Sequence, residues 1–160
     1  MQVLDASSVV HAWDNYPIRQ IPGLWEWMAE QIEEENLVIP RVAFEEVENK
    51  VPECAGWLKS QGIKQLEVNN AVLQSAMHIK NLLGIVDDKY HKKGVGENDI
   101  LIIAMARENR GELVTEEGRQ TVPPDIPAKR KIPAVCNLRE VSVPCINFVE
   151  FFKRSERVFR

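Results

Sequence analysis

Gln2-Val3-Leu4-Asp5-Ala6-Ser7-Ser8 opens the chain with residues suited to a buried strand, an acid at the strand's end, and a small polar run. Two later stretches repeat the pattern. Leu37-Val38-Ile39 stops at Pro40 and leads into Val42-Ala43-Phe44-Glu45-Glu46-Val47, and Glu112-Leu113-Val114-Thr115 stops at Glu116-Glu117-Gly118. Apolar runs of three or four residues bounded by Pro, Gly or charge suit strands buried on both faces, as in a parallel sheet. Binding sites in open parallel sheets form outside the carboxyl ends of the strands. Asp5, Glu46 and Glu117 follow such runs and Asp99 adjoins the apolar stretch 100–106, so all four acids fall where a site is expected.

Outward from these strands the elements alternate without repeats or low-complexity linkers, which predicts a layered α/β fold. Pro22 opens a helix with Leu24, Met28 and Ile32 on one face, and residues 41–50 form a second. Residues 54–61 read as a short helix ended by Gly62, and 65–68 as a strand. Asn70 is expected to cap a longer helix closed by Gly84. Residues 87–97 read as a loop, after which Asn98 or Asp99 starts a helix that Gly111 ends. Residues 141–146, interrupted by Pro144, are the last strand and lie at an edge, and 147–154 form a closing helix. The stretch after Asp5 reads as a loop, with Trp13 the one tryptophan placed to stack on a base; Trp25, Trp27 and Trp57 read as packing residues.

With 160 residues the chain is the length of about one domain, and 44% apolar content is ordinary for a globular protein. The longest apolar stretch, 100–106, is far too short to span a bilayer, and the N-terminus lacks a basic segment followed by an apolar one. The expectation is a cytoplasmic protein without a membrane partner. Cys54, Cys136 and Cys145 fall at unrelated spacings and His11, His78 and His91 are scattered, which argues for reduced thiols rather than structural zinc. A formal charge of −4 gives no overall attraction for nucleic acid, so such a substrate requires a local basic patch or metal ions. Lys92, Lys93, Arg107, Arg110, Arg119 and the run Lys129-Arg130-Lys131 are the candidates for touching phosphate.

Two carboxylates about 5 Å apart repel by roughly 3 kcal/mol at an effective dielectric near 20, so several in one cleft need cations or must take up protons. Mg2+ or Mn2+ suits oxygen ligands of this kind, and such an ion can activate water for attack on a phosphodiester. Three of the acids also have a simpler or a rival reading. Asp99 at a helix start is placed to cap it. Glu46 is spaced to pair with Lys50, and Glu45 is the rival ligand. Glu116 and Glu117 are alternatives to one another.

Taken together, Val3-Leu4-Asp5-Ala6-Ser7, the segment from Pro40 to Glu46-Val47, the helix Asp99-Ile100-Leu101-Ile102-Ile103-Ala104-Met105-Ala106 and the strand end Leu113-Val114-Thr115-Glu116-Glu117 resemble a PIN domain in order and approximate spacing. More narrowly, the chain is similar to small bacterial single-domain PIN proteins, the toxin ribonucleases of toxin–antitoxin pairs, through Lys131-Ile132-Pro133-Ala134-Val135-Cys136 and the segment that follows. The resemblance implies a three-layer α/β/α sandwich with a central parallel sheet, residues 1–160 forming one PIN-like domain. It implies that Asp5, Glu46, Asp99 and Glu117 are catalytic acids that ligate Mg2+ or Mn2+, with Ser7 and Thr115 as polar neighbours. Glu117 stands where many PIN domains have Asp, one methylene shorter. The implied activity is metal-dependent hydrolysis of RNA by a toxin whose partner is a protein antitoxin, and the likeness also implies a homodimer. The competing reading is a PIN-like module without cleavage that binds RNA or protein. A receiver-type domain fits less well, because no adjacent acid pair follows the first strand.

Overall fold

The computed structural model describes residues 1–160. Val3, Leu4, Leu37, Val38, Ile39, Leu113 and Val114 are fully buried, as runs sealed on both faces require. They form strands β1 (Gln2–Leu4), β2 (Leu37–Pro40) and β4 (Glu112–Val114), joined by the short β3 (Gln65–Leu66) and β5 (Cys145–Ile146). All pairings are parallel, in the order β3-β2-β1-β4-β5. Val3 pairs with Val38 on one side and Leu113 on the other, and Leu4 with Val114. The last strand is shorter than expected because Pro144 cannot donate to the ladder; only its carbonyl takes part, accepting from Leu113.

Eight helices surround the sheet: α1 (Ala6–Asn15), α2 (Pro22–Glu33), α3 (Arg41–Lys50), α4 (Pro52–Ser60), α5 (Asn70–Leu82), α6 (Glu97–Glu108), α7 (Ile132–Cys136) and α8 (Phe148–Lys153). Right-handed crossovers put the connections β1 to β2 and β2 to β3 on one face, and those from β3 to β4 and β4 to β5 on the other. Within the layers α1 meets α3 and α4 while α6 meets α5 and α7, and α3 also meets α6. The result is the three-layer α/β/α sandwich with a central parallel sheet. Its buried apolar residues form one contiguous cluster, and no helix is long and apolar enough to cross a membrane.

The stretch after Asp5 is a helix, not a loop. Its buried face, Ala6, Val9 and Ala12, has helical spacing that the polar Ser7 and Ser8 obscure. Trp13 rides on this helix and packs edge-on against Trp25 at 5.4 Å, and Trp25 meets Trp57 at 4.9 Å, so Trp13 is a packing residue too. Gly62 (φ 73°) and Gly84 (φ 67°) follow α4 and α5 in the left-handed conformation. Gly111 has a different role from the one expected. Arg110 takes the left-handed turn after α6 (φ 53°), and a Cβ on Gly111 would stand 2.7 Å from Val3 Cγ2, so Gly111 lets the chain pass close to β1.

The cap of α5 is Asn69, whose side chain accepts from the Val72 N–H at 2.9 Å, and Asn70 is the first helical residue. Asn69→Ala is expected to lower stability by about 1 kcal/mol, which moves a melting curve by about 2–4 °C in a domain of this size. Asn70→Ala should change the melting temperature far less, and equal effects would refute the assignment of the cap.

Candidate active site at the ends of β1 and β4

The sheet order reverses between β1 and β4, because the chain builds outward from β1 to β3 on one side and then returns to lay β4 against the other. A parallel sheet leaves a crevice at such a switch point, outside the carboxyl ends of its strands. Asp5 and Thr115 are the first residues beyond these two ends. The ladder continues through them, with Asp5 N–H donating to Val114 O and Thr115 N–H to Ile146 O, both at 2.9 Å.

Asp5 is 4% exposed and Thr115 2%, so their polar atoms need partners. Asp5 Oδ2 accepts from Ser7 Oγ at 2.6 Å and from Thr115 Oγ1 at 2.8 Å, and the two hydroxyls lie 3.2 Å apart. The hydroxyls in turn accept from the following turn: Ser7 from Glu116 N–H and Thr115 from Glu117 N–H. Ser8, fully buried, donates to the Asp5 carbonyl. This network locks the Asp5 carboxylate across the strand ends and fixes the path of residues 115–117 beside it.

The other three acids arrive from separate elements. Asp99, in the first turn of α6, accepts the Gly96 N–H at Oδ2 (2.9 Å), so it does cap its helix, and does so with one oxygen only. Glu46, midway along α3, accepts from Asn98 Nδ2 at 3.3 Å rather than closing a pair with Lys50, which joins α3 to the start of α6. Glu46 and Asp99 share the lining of one depression with Gly96, Glu97 and Asn98. Glu117 Oε2 accepts the Ile132 N–H at 2.8 Å, at the start of α7. Each of the four therefore has one oxygen tethered to a hydroxyl, amide or backbone donor, while Asp5 Oδ1, Glu46 Oε2, Asp99 Oδ1 and Glu117 Oε1 have no protein partner.

The two rival acids are engaged elsewhere. Glu45 is exposed and pairs with Arg41 at 3.4 Å. Glu116 Oε1 accepts the first N–H of α8, that of Phe148, at 2.7 Å. Asn98, Gly96 and Ile132 hold the acids in place, a role their sequence alone did not reveal. Gly96 and Ile132 act through the backbone, which carries no side-chain signature. Asn98 next to Asp99 was the one readable clue.

Electrostatics ties the acids into one group. Burial raises the Glu46 carboxyl above its ordinary value, and the charges of Asp5 and Asp99 raise it further, against the hydrogen bond from Asn98 and the charge of Lys50. Asp99 is raised by burial and then by Asp5, against Gly96 and Lys50. Glu117 is raised by burial and then by Asp99 and Asp5, against the Ile132 N–H and Lys131. Burial and the charges of the neighbouring acids thus act in the same direction on Glu46, Asp99 and Glu117.

The donor set, carboxylate oxygen without His or Cys, suits a hard divalent cation. No three His, Cys, Asp or Glu side chains form a ready-made metal cage.

A family model described as a domain of unknown function (DUF4411) matches residues 2–159. Among solved structures, a chain of VapBC2 from Rickettsia felis, crystallised bound to a DNA fragment from its promoter, aligns with 81% of this chain and 96% of its own. The TM-score is 0.51 and the identity 18%. No curated protein matches the chain. At that identity the likeness is one of fold, and the fold is PIN-like, as the motifs around Asp5, Glu46, Asp99 and Glu117 led us to expect.

Proposed function

The chain belongs to the family described as a domain of unknown function (DUF4411), and from that premise we propose that it is a metal-dependent ribonuclease, the toxin of a toxin–antitoxin pair. The observation that supports the reading is the Asp5 carboxylate fixed at the switch point of a parallel sheet, with its charge raising Glu46, Asp99 and Glu117 and each of the four acids keeping one oxygen free. Asp5, Glu46, Asp99 and Glu117 are the residues that would hold Mg2+ or Mn2+. When bound, such an ion supplies positive charge that lowers the pKa of water and offsets charge on the phosphodiester.

The chain's own residues supply position. Ser7 and Thr115 fix the Asp5 carboxylate, Gly96 fixes Asp99, and Ile132 fixes Glu117, so the acids are oriented before substrate arrives. Asn98 orients Glu46 across the gap between α3 and α6. RNA as the substrate and a protein antitoxin as the partner rest on the sequence resemblance and on the fold shared with VapBC2 of Rickettsia felis. A homodimer rests on the resemblance alone, and a cytoplasmic location on the reading of the sequence.

The test is incubation of the purified chain with labelled single-stranded RNA. Mn2+ or Mg2+ should support fragmentation and chelation should stop it. Intact RNA at every metal concentration, with binding retained, would instead favour the module that binds RNA without cleaving it.

A further inference from the structure

The basic residues that are candidates for touching phosphate separate into two groups. Arg119 is committed to Glu150, which it meets through two hydrogen bonds at 2.9 and 3.0 Å. Arg107 donates to Ser75 at 2.9 Å. Arg130 reaches the Pro124 carbonyl at 3.4 Å. Arg110 follows the last turn of α6, eleven residues beyond Asp99 and so about 16 Å along the helix axis from the crevice. Lys92, Lys93, Lys129 and Lys131 remain, none of them in an ion pair.

These four lysines line a single depression of about 650 Å³ together with Gly94, Gln120, Pro124 and Glu117. They come from two segments far apart in sequence, the loop before α6 and the segment before α7, which are fastened together. Val95 N–H donates to Arg130 O at 3.1 Å. Gly94 lies so close to the second segment that a Cβ there would stand 1.8 Å from Ala128 O. Gln120 braces the second segment, accepting from Lys131 N–H at 2.9 Å and donating to Lys129 O at 3.5 Å. The trough is therefore a built surface, in which backbone contacts bring four ammonium groups together against their mutual repulsion.

Its position gives it a direction. Glu117 belongs both to the trough and to the acid cluster, and Lys131 is the residue before Ile132, whose N–H holds Glu117. We propose that the trough grips the backbone phosphates of the RNA strand flanking the scissile phosphate, on the Glu117 side of the crevice. The proposal deepens the ribonuclease reading and rests on it for the identity of the strand. Lysine is a point charge that reads phosphate rather than base edges, so the grip is independent of sequence. It also answers the charge problem set by the composition: a chain with a net charge of −4 needs a local basic surface to hold nucleic acid.

The experiment measures binding of labelled single-stranded RNA to the full chain by fluorescence anisotropy, in EDTA and across a salt series. Lys92, Lys93 and Lys131 are exposed, so their triple replacement by alanine leaves the core intact, which a melting curve verifies. The triple variant should bind about tenfold or more weakly at low salt. Its plot of log affinity against log salt should be shallower by about 2, since each phosphate of a single strand that a lysine neutralises adds about 0.7 to the slope. Arg110→Ala should match the wild type. Unchanged affinity and slope in the triple variant would overturn the proposal, as would RNA binding that survives while capture of an oligo-glutamate peptide is lost, which would assign the trough to an acidic protein partner. Lysine-dependent binding without cleavage would leave the trough standing and remove the nuclease; cleavage with lysine-independent binding would do the reverse.

Discussion

Asp5→Asn is expected to reduce RNA cleavage in Mn2+ on the order of a thousandfold, equivalent to about 4 kcal/mol of transition-state stabilisation. The size follows from geometry. Asp5 is the most buried of the four acids and the most rigidly held, and it alone sits on the strand end at the centre of the switch point. Asparagine keeps an oxygen that can accept from Ser7 and Thr115, so the network at the strand ends survives while the charge is removed. The fold should be undamaged for a second reason. Asp5 is among the charges that raise Glu46, Asp99 and Glu117, so removing it relieves repulsion. At neutral pH without metal, the variant should melt no lower than the wild type. Cleavage above a tenth of the wild-type rate, in a variant that melts normally, would remove Asp5 from the chemistry.

The sequence carried the strands and the positions of two candidate acids, Asp5 and Asp99, because a strand buried on both faces writes itself as an apolar run and its end as an abrupt change to polar residues. Val3-Leu4-Asp5 and Leu113-Val114-Thr115 are of this kind. Asp99 was legible through its place at a helix start. The first helix was hidden, because Ser7 and Ser8 look like loop residues. In the structure Ser7 bonds Asp5 and Ser8 is buried against the Asp5 carbonyl, so polar residues were recruited into a helix by the site itself. The choice between Glu116 and Glu117 was not legible at all. It depends on which carboxylate meets the start of α8 and which the start of α7, and those helices are brought to the crevice by β5 and the segment before α7. The lysine trough was legible only as a set of scattered charges; the close approach of Gly94 to Ala128 that assembles it joins residues 34 positions apart.

Adding Mn2+ at about a hundred times its dissociation constant should stabilise the protein by about 2.7 kcal/mol at neutral pH, raising the melting temperature by about 5–10 °C. The metal-free protein should show the opposite trend with pH. Glu46, Asp99 and Glu117 have folded-state values above their ordinary ones, 4.5 for the two glutamates and 3.8 for the aspartate. Over the window between the ordinary and the raised values the folded state binds more protons than the unfolded state, so stability falls as pH rises through that window. Below it the three carboxyls are protonated in both states and repulsion is absent. Above it the folded protein holds a cluster of like charges that a divalent cation can neutralise. The metal-induced shift should therefore be largest at neutral pH and vanish as the medium is acidified below the ordinary carboxylate values, because protons and cation compete for the same oxygens. Asp5→Asn should shrink the shift at neutral pH by removing one ligand, whereas Glu45→Gln, on an exposed residue paired with Arg41, should leave it unchanged. A shift that is the same at acid and neutral pH, or that Asp5→Asn does not diminish, would place the cation away from the crevice and with it the ribonuclease chemistry.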